Sequence, residues 1–376
     1  MTKIQAKAYG APGEKAPQAS GRGDRPGVPT MSDVAKLAGV SPMTVSRVMN
    51  GDPNVRPATR RKVDEAVAAL NYVPNQAARR LAGARAIRIG FLYSNPSAGY
   101  LSEFLVGLLN QASIHNVQLV VENCEDGHTW EAHSRRLIEN GVDGIILPPP
   151  LCDTPELIEL IALADMPAAT VACGQPDPRV GAVSIDDYQA AYDMTSHLIS
   201  LGHHRIGFVI GHPNQTASAR RLEGYKAAIA DKGGDASPEL VAQGMFTYRS
   251  GLDAAEILLG LEHRPTAVFA SNDDMAAATV AIAHRLGLDV PGDLTVAGFD
   301  DTALATTIWP ELTTVRQPIA QMAEMAVQFL VRQIRAQRDG AVQAPEHIVM
   351  DFSLIRRQSD AAPRRRPKLA GKTVEA

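Results

Sequence analysis

Met43, Thr44, Ser46, Arg47 and Asn50 fall within one short segment and together carry the chemistry needed to read the edges of DNA bases. A guanidinium at Arg47 can grip a guanine through two parallel hydrogen bonds. Hydroxyls at Thr44 and Ser46 can hold phosphates, and Pro42 and Met43 offer apolar contact to a thymine methyl. A second set of polar residues is spread along the rest of the chain: Tyr93-Ser-Asn95-Pro, Ser271-Asn272-Asp273 and Gly298-Phe-Asp300-Asp-Thr302. Their carboxylates and carboxamides suit bidentate hydrogen bonds with vicinal hydroxyls, provided the fold gathers them into one cleft, whereas Arg221, in Arg221-Leu-Glu-Gly-Tyr225, reads by itself as a solvated surface residue.

The first set needs a helix to present it. Ser32 is placed to cap a helix over 33–37, with Asp33 complementing the positive end of its dipole and Val34, Leu37 and Ala38 on the buried face. Gly39 supplies a tight turn and Val40 fills the angle. Ser41 caps a second helix with Pro42 at its first position and Val45 and Val48 facing inward. That leaves Pro42, Met43, Thr44, Ser46, Arg47 and Asn50 outward, on a helix suited to a major groove. Thr59 caps a third helix through Lys62, Val63, Ala66, Val67 and Leu70. The segment 76–83 is helical by composition but only about two turns long, which is marginal in water. It is expected to fold when two copies meet on DNA, with Leu81 as an apolar wedge in the minor groove.

Charge divides the chain the same way. Residues 30–85 hold nine basic against four acidic side chains, and the segments 1–29 and 359–376 are each net +3. The whole chain carries −4, so residues 86–358 carry −15. Only the head suits phosphates, and the acidic core should be held off DNA. The segment 1–29 reads as a disordered extension and 359–376 as a basic flexible tail. A chain of 376 residues can bury a large core in two or three domains. Cys124, Cys152 and Cys173 show no metal-ligand spacing and read as small buried hydrophobes in a reducing compartment, with no metal or cofactor expected. No apolar run approaches a membrane span and no signal-peptide core is present, so a cytoplasmic protein is expected. No Gly-x-Ser-x-Gly, P-loop or His-Glu-x-x-His pattern occurs, and an enzyme is not expected.

Beyond residue 85, apolar runs at 87–93, 117–122, 144–147, 169–172, 182–185, 206–210, 267–270 and 294–298 alternate with amphipathic helices such as 188–201, 219–232, 251–259 and 274–286. This alternation predicts an α/β core of two doubly wound subdomains with parallel sheets. Ligands of such sheets sit beyond the carboxyl ends of the strands, where the polar clusters all lie.

The motifs Asp33-Val-Ala-x-x-Ala-Gly-Val-Ser41, Thr44-Val-Ser-Arg-Val48, Asn71-Tyr-x-Pro-Asn75 and Arg80-Leu-Ala-Gly83 are specific in combination. On them the chain resembles the lac/galactose/purine repressor family of bacterial transcription regulators, over about residues 30–358. The resemblance implies an all-α helix-turn-helix head (30–73), a hinge helix and linker (74–85), and a periplasmic-binding-protein-like core. One core subdomain would comprise about 86–186 and 316–343, the other about 187–315 and 344–358. It further implies a homodimer on a pseudo-palindromic operator in double-stranded DNA, touched by Thr30, Met31, Pro42, Met43, Thr44, Ser46, Arg47, Asn50, Asn54, Arg56 and Thr59, with Leu81 intercalating.

The implied effector pocket holds Asn95, Tyr100, Arg221, Phe246, Asn272, Asp300 and Gln317, with Tyr93 at the same strand end and Ala172 nearby. Several sugar-responsive relatives carry a carboxylate where this chain has Ala172. Purine-responsive members carry an arginine, a threonine and a second aromatic where it has Gln215, Ala217 and Leu101. A sugar inducer is therefore favoured, with a purine-type corepressor as the alternative and a solute-binding module without DNA function as the reading from another class. The ligand would favour one relative placement of the subdomains, so that the hinge helices either pair or do not. No leucine heptad follows Ile355, which points to a dimer rather than a tetramer.

Overall fold

The structure, a computed structural model, describes residues 29–49, 55–70, 72, 86–124, 129–341 and 343–364. The expectations for 1–28, Asn50, Asn54, the hinge segment with Leu81, and 365–376 lie outside these residues. The chain divides into two compact units, Met1–Arg85 and Ala86–Ala376.

The head is built from α1 (Met31–Ala38), α2 (Pro42–Met49) and α3 (Pro57–Ala69). Thr30, and not Ser32, caps α1. Its hydroxyl accepts from the Asp33 N–H at 3.4 Å while the Asp33 carboxylate accepts from the Thr30 N–H at 2.9 Å. This reciprocal pair satisfies two orphan donors where a Ser32 cap would satisfy one, and it starts the helix earlier. Gly39 ends α1 at φ +65, a left-handed backbone that favours glycine. The Thr44 N–H donates to the Ser41 hydroxyl at 3.2 Å, capping α2 as expected. Thr59 does not cap α3, because Pro57, with its φ already helical, starts the helix behind Arg56, three residues sooner than a Thr59 cap would. The buried centre comprises Val34, Ala35, Ala38, Val45, Val48, Val63, Ala66 and Tyr72. Leu37, expected inside, is 56% exposed, since Val34, Ala35 and Ala38 form the buried stripe and leave it off their face.

In the core the strands are β1 (Ile87–Tyr93), β2 (Val117–Asn123), β3 (Gly144–Leu147), β4 (Ala168–Val171), β5 (Gly181–Ile185), β6 (Ile206–Ile210), β7 (Val241–Gln243), β8 (Ala267–Ala270), β9 (Thr295–Asp300), β10 (Thr313–Arg316), β11 (His347–Met350) and β12 (Ser353–Ile355). The helices are α4 (Ala98–His115), α5 (Trp130–Glu139), α6 (Pro155–Leu163), α7 (Asp187–Ser200), α8 (Thr216–Lys232), α9 (Tyr248–Leu259), α10 (Asp273–Arg285), α11 (Leu304–Thr307) and α12 (Ile319–Arg338). One sheet runs β2-β1-β3-β4-β5-β11, all parallel; the other runs β7-β6-β8-β9-β10-β12, parallel except for β12 against β10. Strands β3, β4, β5, β8 and β9 are buried along their whole length, which is why they read as unbroken apolar runs.

Two boundaries need correction. The segment 344–358 does not belong to the second subdomain as one piece. His347–Met350 pairs with Ala182–Ile185 in the first sheet, and only Ser353–Ile355 joins the second. The chain is also anchored past 358. Ser359 accepts from the Thr313 N–H at 2.8 Å, and Asp360 accepts from the Thr313 hydroxyl at 2.7 Å and lies 2.7 Å from His197 Nε2. A tail that begins at 359 is therefore excluded for the described residues 359–364. Strands β7, β10, β11 and β12 were not foreseen, because none is an unbroken buried apolar run like the equally short β3, β4 and β8: β10 is half threonine, and β7, β11 and β12 mix exposed with half-buried positions.

In each sheet the strand order reverses at the first strand: β1 lies between β2 and β3, and β6 between β7 and β8. The carboxyl ends around these two switch points are where an open α/β sheet offers a crevice. Among the described residues no helix is long and apolar enough to cross a membrane.

Candidate functional site

The crevice is formed by loops from both sheets. Asn95 and Ser97 follow β1, Tyr100 lies on α4, Pro149 follows β3 and Ala172 follows β4. From the other subdomain come Gln215, Ala217 and Arg221 at the start of α8, Phe246 before α9, Asn272 capping α10, and Asp300 ending β9, while Gln317 follows β10. Seven of the eight residues expected here thus line one cleft. Tyr93 does not; it still belongs to the strand, where its ring stacks on Phe91 at 5.7 Å, and the opening begins only after the chain leaves β1. The volume that a water centre can reach is about 30 Å³, within some 400 Å³ of interatomic space that includes the mouth.

Arg221 is the electrostatic centre. It is 4% exposed, its Nε donates to Asp187 Oδ1 at 2.7 Å and one terminal nitrogen donates to the Ser271 carbonyl at 2.6 Å. Its guanidinium lies 3.6 Å from the centre of the Phe299 ring. Burial raises the carboxyls of Asp187 and Asp300 above their ordinary range, with the Arg221 charge opposing the shift in both. Asp300 accepts from Gln317 Nε2 at 2.6 Å. Two polar atoms of the wall, the Tyr100 hydroxyl and the Gln317 side-chain carbonyl, are buried with no partner. Such groups carry a desolvation cost that a hydroxylated ligand would relieve.

The backbone of the wall is strained in three places. Ala172, Phe246 and Asp300 have φ of 55, 58 and 109, a region that non-glycine residues rarely adopt. Asn272 holds Phe246 in place, its Nδ2 donating to the Phe246 carbonyl at 3.1 Å. Gly211 makes room for the ring, since a Cβ there would stand 2.0 Å from Phe246 Cζ. Sequence reasoning missed Ser97, Pro149 and Asp187, and it had no signal for the left-handed backbone.

Hydrogen bonds tie the subdomains across the cleft at two places: the Ser97 hydroxyl donates to Asp274 Oδ2 at 2.6 Å, and at Thr216 the N–H donates to Asp153 Oδ2 at 3.1 Å and the hydroxyl to Asp153 Oδ1, while that hydroxyl accepts from the Gly174 and Gln175 N–H groups at 2.8 and 3.1 Å. Behind them Asp273 is 1% exposed and accepts from Thr302 N–H at 2.8 Å and the Thr314 hydroxyl at 2.7 Å, yet burial pushes its carboxyl up to about 7. A folded-state value above the unfolded one means that stability is full below about pH 4 and is lost as the pH rises toward 7. Asp273→Asn removes this dependence. Its melting temperature relative to wild type is expected to climb between pH 4 and 7 and level off above; a pH-independent difference in thermal melts would refute that assignment.

In the head, Pro42, Met43 and Arg47 are exposed on α2 and Thr44 and Ser46 are half-buried beside them, while Val45 and Val48 face inward. The Ser41 and Thr44 hydroxyls lie 2.9 Å apart. Arg56 is exposed and Thr59 half-buried at the start of α3, and the Thr30 hydroxyl donates to Asp33 at 2.6 Å while Met31 packs partly inside. The structure thus brings together Pro42, Met43, Thr44, Ser46 and Arg47 on one helix, with Thr30, Met31, Arg56 and Thr59 at the starts of the two others.

A helix-turn-helix head and a two-sheet core with a cleft at the switch points define a class of ligand-responsive DNA-binding proteins. Residues 30–75 match the profile of bacterial regulatory proteins of the lacI family, and 195–359 match a periplasmic binding protein-like domain. The catabolite control protein A of Priestia megaterium is 34% identical over 323 residues, covering 85% of this chain and 97% of that protein. The solved structure of a transcriptional regulator CelR–cellobiose complex matches with a TM-score of 0.68 at 31% identity, covering 88% of this chain and 100% of that one. The lac repressor dimer bound to operator and the anti-inducer ONPF matches with a TM-score of 0.69 at 27% identity, covering 89% and 99%. The chain belongs to the lacI family of bacterial regulatory proteins and is a DNA-binding transcriptional regulator.

Proposed function

We propose that this regulator is a cytoplasmic repressor that binds a pseudo-palindromic operator as a homodimer and is released by a small sugar held in the cleft. The observation that carries the sugar reading is the pair of buried, unpartnered groups, Tyr100 hydroxyl and Gln317 carbonyl, beside Arg221 and Asp300. They offer donor and acceptor together, as a ring of hydroxyls requires. The cellobiose held by the similar CelR and the operator-bound dimer of the lac repressor support the same reading. Gln215 and Ala217 in the wall offer no cation toward a purine. The polar groups of the cleft serve to bind and orient a ligand, and the similarity to transcriptional regulators supports regulation over turnover.

The sugar acts by differential affinity: it binds the conformation with parted subdomains better than the tied one and shifts the population toward it. A thermal-shift screen of the purified protein against mono- and disaccharides, sugar phosphates and purines tests this. Ligand at about 100 times its dissociation constant stabilises by roughly 2.7 kcal/mol, worth about 5–10 °C for a core of this size. The sugar that shifts the melt should also lower operator affinity in a fluorescence anisotropy titration. A purine that binds tightly while no sugar does would replace the inducer with a corepressor.

A further inference from the structure

Two of the three cysteines meet beside the cleft, against the expectation from their spacing. Cys152 lies in the single turn Leu151–Asp153 after β3, Cys173 follows β4, and these strands are neighbours in the sheet, so their loops leave it side by side. The two sulfurs and a carboxylate oxygen of Asp153 all lie within 4.8 Å of one another. Asp153 Oδ1 is 3.1 Å from Cys173 Sγ and Oδ2 is 3.6 Å from Cys152 Sγ. A tetrahedral ion with metal–sulfur bonds of about 2.3 Å and a metal–oxygen bond of about 2.1 Å spaces its ligands by roughly 3.6–3.8 Å, a separation inside the 4.8 Å within which the three groups stand. The sulfurs are buried, Asp153 is partly exposed, and Ala172, the residue before Cys173, lines the effector cleft.

We propose that Cys152, Asp153 and Cys173 form a binding site for one thiophilic divalent cation of the Zn²⁺ and Cd²⁺ class. Two sulfur donors and one carboxylate select such ions over Mg²⁺ or Ca²⁺, which take oxygen ligands. Binding breaks two S–H bonds and forms two metal–sulfur bonds, and both protons pass to solvent. The site also sits on a tie between the subdomains. The Thr216 hydroxyl, 3.6 Å from Cys173 Sγ, donates to Asp153 Oδ1, and the Thr216 N–H donates to the other oxygen. The cation and the neighbouring subdomain therefore compete for one carboxylate.

The test is a titration of the full, reduced chain with Cd²⁺, following the ultraviolet thiolate-to-cadmium charge-transfer band and the protons released. One equivalent per chain and about two protons are expected. Cys152→Ser and Cys173→Ser should each weaken binding by at least about tenfold, and Cys124→Ser should leave it unchanged. Circular dichroism melts establish that each variant is folded. Asp153→Asn keeps both thiols and should retain the band while losing about tenfold in affinity. The proposal is overturned if wild type shows no band with excess Cd²⁺, if the band survives both serine variants, or if it disappears in Cys124→Ser. None of these readouts depends on the operator or on the sugar.

Discussion

Arg47→Ala is expected to weaken operator binding by roughly 30-fold to 10⁴-fold. One bidentate arginine–guanine pair discriminates by about 1–3 kcal/mol, and a dimer presents two copies, so about 2–6 kcal/mol is at stake. The head should remain folded in this variant. Arg47 is exposed on α2, the residues that hold the helix in place are the buried Val45 and Val48, and alanine is at least as good a helix former. The contrast is Arg61→Ala, also exposed and on α3, which should at most cost affinity evenly across DNA sequences and flatten the salt dependence. Sites selected from random DNA, followed by anisotropy titrations at several salt concentrations, separate the two effects. If Arg47→Ala kept both the affinity and the base preference, α2 would not be the reading helix.

What the sequence revealed and what it hid follows from how far apart the deciding residues lie. The head is legible because its turn, its second cap and its buried valines are neighbours in the chain; the error at Ser32 arose because the true cap, Thr30, is chosen by a reciprocal bond with Asp33 that a single hydroxyl does not signal. The doubly wound core is legible because strands buried on both faces read as apolar runs. β11 is not, since it alternates between exposed and half-buried and its place is set by pairing with Ala182–Ile185, far back in the chain. The cleft was half visible. Asn95, Asn272 and Asp300 mark strand ends by residue type, whereas Asp187 in the first turn of a helix reads only as a complement to the dipole. Its role as the partner of Arg221, like the meeting of Cys152 with Cys173, exists only once the sheets form.

Arg221→Met is expected to produce a protein that still binds operator but no longer responds to the sugar. The substitution keeps much of the side chain's length against Phe299 and removes the charge that Asp187 and Asp300 share. Breaking a buried pair by deleting one partner costs roughly 3–5 kcal/mol, because the remaining carboxylate is left desolvated and alone. Both carboxyls are already raised by burial, and without the guanidinium they rise further. Groups whose folded values lie above their unfolded ones contribute stability at low pH that is lost as the pH rises through the folded value. The variant should therefore be destabilised much more at pH 8 than at pH 5, a pattern that simple loss of packing does not give. Adding Asp187→Asn neutralises the stranded partner and should recover part of the loss, a coupling that a double-mutant cycle of melts measures. The double variant also keeps the functional question open if the single one fails to fold. In either protein the sugar that shifts the wild-type melt should leave the melt unmoved, and operator affinity without sugar should stay within a few-fold of wild type. A folded Arg221→Met protein that releases operator at the wild-type sugar concentration would place the effector elsewhere.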